Sequence, residues 1–172
     1  KGTHSEGQSQ SGILKLPWAI KFDTTNNESY VSSEQTHSIV RFKPPVPPRS
    51  ATSQAASIYQ STFDKVWTQD PLRLVTGFDF ATDAVYAVSP NTKAIIQYNR
   101  ATGVREHTWI DQHLKRPIDL FVLGSYVYVC SSDSVRIYHR ASSEYEAGSK
   151  LDGMECASIL RNADWKTPVG FK

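Results

Sequence analysis

Apolar residues in this chain fall in short alternating runs, each closed by polar or turn-forming residues. "PWAIKFD" at Pro17–Asp23 is the first such run, followed by "SYVSS" from Ser29 and "SIVRF" ending at Phe42. Alternation with a period of two, rich in β-branched and aromatic residues, predicts half-buried strands. Nothing holds a helical period long enough to predict a helix, so the chain is expected to be all-β.

The runs return in order. Pro17-Trp18-Ala19-Ile20 aligns with Val75-Thr76-Gly77-Phe78, Pro117-Ile118-Asp119-Leu120 and Pro168-Val169-Gly170-Phe171. Behind each of the first three comes a Tyr-led strand, at Tyr30, Tyr86 and Tyr128. A polar turn follows, then an alternating strand ending in Phe42, Tyr98 or Tyr138. The next residues are also alike, "YNRATG" from Tyr98 and "YHRASS" from Tyr138. A bulky residue stands eight positions before each new start: Trp67, Trp109 and Leu160.

The unit is therefore four strands, with starts 58, 42 and 51 residues apart. The middle spacing lies in the roughly 40–45 residue range of a propeller blade. The other two spacings carry insertions between the third and fourth strands, at 43–60 and 142–157. The expected fold is a β-propeller segment over 13–172: about three four-stranded antiparallel blades and the first strand of a fourth. Residues 1–12 read as a flexible polar lead. Propellers close with about four to eight blades, so the segment is expected to belong to a longer polypeptide or to a ring completed by other chains. A compact four-blade-like closure through residues 13–16 and 168–172 is the alternative. Within the unit, Tyr30, Tyr86 and Tyr128 are expected to fill the space between blades, and the Arg41 and Arg136 stems to lie exposed over aromatics.

The pattern resembles the NHL-type β-propeller repeat, which runs Pro-x-Gly-aliphatic, then Tyr-Val-x-Asp, then a strand ending in an aromatic. The resemblance spans about Ile13 to Lys172. Gly77 and Gly170 keep the glycine, while Ala19 and Asp119 replace it; Ser33, Ser89 and Ser131 stand in place of the aspartate. Such departures suit a divergent member or a relative such as the YVTN-type propellers. The resemblance implies that the first strand of each unit is innermost, which puts Asp119 beside the central channel.

Composition narrows the partners. With 39% hydrophobic and 21% charged residues the chain has a globular profile, and its net charge of +2 is spread without a basic or acidic block. That argues against nucleic acid as a partner. No run approaches the roughly 18 apolar residues of a membrane-spanning helix. The chain starts without Met, signal or transit peptide, so a processed or trimmed N-terminus is expected. The sequon Asn27-Glu28-Ser29 would suit glycosylation at Asn27 and leans weakly toward a secretory setting.

Candidate chemistry is sparse. The five histidines are scattered, no nucleophile elbow or phosphate-cradling loop is present, and no catalytic residue is assigned. Asp79 and Asp119, with Asp23 near a corresponding strand end, are weak candidates for a channel metal, since calcium or another divalent ion needs several converging oxygens. The plainer role for Asp119 is to cap a turn or meet a backbone amide. Cys130 and Cys156 could pair as a disulfide outside the cell, or Cys130 could be a free buried strand cysteine. Pro44, Pro45, Pro47, Pro48 and Arg49 form a stretch favouring polyproline II, either an arm docking on an aromatic groove or a stiff spacer.

The expectation for function is a non-catalytic interaction or structural module without a cofactor, a scaffold presenting insertion loops to protein partners or joining further blades. A lactonase-like propeller hydrolase or lyase with a channel metal is the alternative. Extracellular carbohydrate or matrix binding is a third reading, since propellers host all three roles.

Overall fold

The computed structural model describes residues 13–44, 62–68, 74–140 and 156–160. Among these residues there are twelve strands and no helix. β1 (Pro17–Asp23), β2 (Glu28–Ser33), β3 (Ser38–Lys43) and β4 (Thr62–Val66) form one antiparallel sheet in chain order. β5 (Phe78–Phe80), β6 (Ala84–Ser89), β7 (Ala94–Asn99) and β8 (Arg105–Ile110) form the second. β9 (Asp119–Leu123), β10 (Tyr126–Cys130), β11 (Val135–His139) and β12 (Cys156–Leu160) form the third. The sheets meet along their first strands, with β5 lying beside both β1 and β9. Three four-stranded blades side by side on their innermost strands are a β-propeller segment.

The three blades share one register. Ile95 pairs with Trp109 and Val135 with Leu160, while the Trp67 amide, just past β4, donates to the Ile39 carbonyl at 2.8 Å. The bulky landmark of each unit thus faces the same rung of its third strand. The second insertion is shorter than expected, because β12 already begins at Cys156. In the first, Lys43 still belongs to β3. Pro168 and the lead at 1–12 lie outside the described residues.

Two apolar layers fill the joints between blades. Tyr30, Ile39 and Trp67 of blade 1 pack with Phe78, Val85, Ala87, Ile96 and Tyr98 of blade 2. Tyr86, Val88 and Ile95 of blade 2 pack with Leu120, Val127, Val129 and Tyr138 of blade 3. The period-two alternation decides this: successive residues of a strand face opposite joints, so Val85 and Ala87 of β6 turn toward blade 1 while Tyr86 and Val88 turn toward blade 3. Tyr30 sits edge-on to Phe80 at 5.0 Å and to Trp67 at 5.7 Å, and Trp67 to Tyr98 at 5.8 Å. Tyr30 and Tyr86 fill the joints as expected. Arg136 departs from expectation. It is buried, not exposed, because a carboxylate waits for it inside the second joint.

A left-handed corner opens every blade. Leu16, Leu74 and Arg116, the residues immediately before Pro17, Val75 and Pro117, have φ of 52, 58 and 51°. Such angles are unfavourable for side chains of this size. The corner is held by its neighbours: Lys15 O accepts the Gln35 amide at 3.1 Å and Lys115 O the Ser132 amide at 2.9 Å. The Leu74 amide donates to His37 Nδ1 at 3.1 Å, which ties that blade 1 turn histidine to the corner opening blade 2.

Candidate functional site

The carboxylates considered as metal ligands all lie on inner strands, and each has structural partners. Asp79 reaches both neighbours: its Oδ2 accepts the Val122 amide of β9 at 2.9 Å, and Lys21 of β1 stands 3.6 Å from Oδ1. One side chain thus ties all three blades. Asp119 accepts its neighbour Leu120's amide at 2.9 Å and lies flat against Gly77, the equivalent residue of the preceding blade. A Cβ on Gly77 would collide with the Asp119 main chain, so glycine is required there. Among the described residues no group of three or more His, Cys, Asp and Glu side chains is placed to hold a metal ion.

The edge where β1 turns into β2 carries an ionic clasp that repeats across both joints. Arg100, directly after β7, donates to the Ala81 and Thr82 carbonyls and to Asp23 Oδ1 at 2.7 Å. Its guanidinium lies 5.3 Å over the Phe80 ring. Arg140, the same position after β11, donates to Gly124 O, the Tyr86 hydroxyl and Asp83, and stacks 5.5 Å over Tyr86. Burial alone would push the Asp23 carboxyl up; the Arg100 guanidinium and the Thr25 amide outweigh it and hold the group below its ordinary range. Burial likewise raises Tyr86, against the Arg140 contact. The likeness of "YNR" and "YHR" in the sequence was the visible trace of this clasp. At the matching position of blade 1 stands Pro44.

A second joint residue gave no sequence signal. Asp111, just past β8, accepts the Tyr138 hydroxyl at 2.6 Å and Arg136 Nη1 at 3.2 Å on one oxygen, and the His113 amide at 2.8 Å on the other. Burial raises its carboxyl, and those three partners more than offset it. Its two side-chain partners are 25 and 27 residues away in sequence.

The same edge bears the insertions. Lys43 and Arg41 at the end of β3 pair with Asp64 of β4, the Lys43 contact at 2.8 Å, pinning the two strands between which the proline segment is inserted. Those two cations hold the Asp64 carboxyl below its ordinary range. Pro44 is exposed at that root. Pro45, Pro47, Pro48 and Arg49 lie outside the described residues. Asn27 is exposed in the β1–β2 turn with φ of 54°, on this same edge.

The two cysteines are not brought together. Cys130 is buried on β10, and Cys156 lies on β12 with β11 between them. Two ladder spacings of about 4.8 Å each exceed the roughly 4.4–6.8 Å between Cα atoms that a disulfide spans.

The outward faces of blades 1 and 3 repeat positions that the joints bury. Ile20 and Phe22 are 56% and 67% exposed, although their equivalents Phe78 and Leu120, and Phe80 and Val122, pack into the joints. On blade 3, Phe121, Leu123 and Leu160 are exposed as well, whereas Trp67, in the register of Leu160, is buried.

No protein-family model and no curated protein matches the chain. Among solved structures, hydrazine synthase of Kuenenia stuttgartiensis superposes on 95% of this chain with a TM-score of 0.58 and 12% identity. At that identity the likeness is one of fold. The chain spans 42% of the length of that structure.

Proposed function

We propose that the chain is a non-catalytic structural and interaction module, a run of propeller blades within a larger ring or assembly that presents its insertions to protein partners. The observation that carries this reading is the placement of the two long connections. Both replace the short Arg100–Val104 turn of blade 2, so both rise from one edge, rooted in the ion pairs of Asp64 on blade 1 and of Arg140 on blade 3 with Asp83. Length added at such a connection leaves the sheets untouched, and a proline-rich arm is pre-ordered for docking. The inner carboxylates point the same way. Asp79 and Asp119 are engaged with amides and Lys21, so an ion in the channel would have to compete with contacts that join the blades.

Excising residues 44–57 from the full-length protein tests the reading. The melting temperature should stay within a few degrees while cross-linking to the partner is lost. Unfolding on excision, or a stoichiometric divalent metal in the purified protein that Asp79→Asn removes, would overturn it.

A further inference from the structure

The two outward faces differ from the internal joints in a correlated way. At the blade 1–blade 2 joint, three side chains lie in a row: Phe80 on the incoming blade, the Arg100 guanidinium, and Asp23 on the receiving blade. The equivalents on the outward faces are Phe22 and Pro44 on blade 1 and Leu123 on blade 3. The cation and the acid have been replaced together by apolar residues. Yet the cation's position is on the first blade and the acid's on the last. The second joint's acid, Asp83, likewise has Ser125 as its blade 3 counterpart. Phe121 further replaces the polar pair position held by Lys21 and Asp79. These changes complement one another if the two outward faces meet.

We propose that they do, through a second copy of this chain. Blade 1 of each copy seats on blade 3 of the other, and the three described blades of each of two copies close a six-bladed ring with two identical joints. Ile20 and Phe22 then occupy the space against Phe121, Leu123 and Leu160, with Pro44 in place of the clasp arginine. Six blades fall within the usual range of about four to eight, and a joint of this kind continues a packing the chain already makes twice. The proposal rests on the reading of the chain as part of a ring and adds the identity of the partner.

The test is sedimentation of the 172-residue chain, up to tens of micromolar. Wild type is expected at twice the 19.3 kDa of one chain. Phe22→Asp and Leu123→Lys, both exposed and so compatible with folding, should each sediment as monomers with unchanged circular dichroism. Mixing the two should restore the dimer, because one joint then carries an Asp–Lys pair and the other is wild type. A monomeric wild type, a dimer indifferent to both substitutions, or a mixture that stays monomeric would overturn the second copy. A monomer would assign the faces to other blades and leave the proposed function standing; that function fails on the excision and metal tests alone.

Discussion

Arg100 Nη2 donates to Asp23 Oδ1 at 2.7 Å across 77 residues of sequence, and the acceptor is almost wholly buried. Blade 2 is fastened to blade 1 at its edge by this contact. Its counterpart in the next joint, Arg140 with Asp83, uses an acid that is 61% exposed in its side chain. Burial therefore ranks the two clasps.

Asp23→Asn should destabilise the protein by about 1–3 kcal/mol, since it removes a charged acceptor from a buried hydrogen-bond network. Asp83→Asn should cost no more than about 0.5 kcal/mol, as exposed pairs contribute little. Urea denaturation of both variants checks the contrast; equal effects would contradict it.

The acid limb of stability follows from Asp23 and Asp111. Both carboxyls titrate below their ordinary range when folded, so the unfolded chain binds the proton first. Their contribution is complete above the unfolded value of about 3.9 and disappears as pH falls through the lower folded values. Stability measured from pH 6 downward should stay level, then decline below about pH 4. The decline should be shallower in Asp23→Asn.

Tyr30 sets an alkaline limb. Burial, helped by the Glu28 carboxylate that accepts its hydroxyl at 2.9 Å, pushes its pKa up to about 12 from 10.0. The folded state keeps the proton that the unfolded chain releases. This stabilisation is whole below pH 10.0 and is lost as pH rises toward 12. Tyr30→Phe should flatten that part of the profile, followed by fluorescence at fixed urea.

Trp67→Ala should cost about 3–5 kcal/mol, the range for truncating a buried aromatic. Gly103 has φ of 73° and lies against the Trp67 carbonyl, so Gly103→Ala should cost about 1–3 kcal/mol through strain and overpacking. Gly124 has φ of 56° with open space around it, and Gly124→Ala should cost only about 1 kcal/mol. Thermal melts of the three variants should rank in that order.

The repeat was legible because strand alternation and landmark spacing are local. Trp67, Trp109 and Leu160 stand eight residues before each start, and the structure puts all three on one rung. The clasp was half legible, as two similar strings without a role. Asp111 left no trace, since its side-chain partners come from another blade and no local rule connects them. Leu16, Leu74 and Arg116 were equally silent: nothing about leucine or arginine announces a left-handed corner, which the surrounding hydrogen bonds impose.

The order of residues alone determined four-stranded units, their boundaries to within a few positions, and which residues alternate toward a core. Alternation is a property of one strand and needs no partner to be read. Only the tertiary structure decided that Arg136 is buried, that Asp79 joins three blades, and that Cys130 and Cys156 stand two strands apart. Each of those depends on which surface a neighbouring blade covers, and burial belongs to pairs of sheets, not to any one stretch of chain.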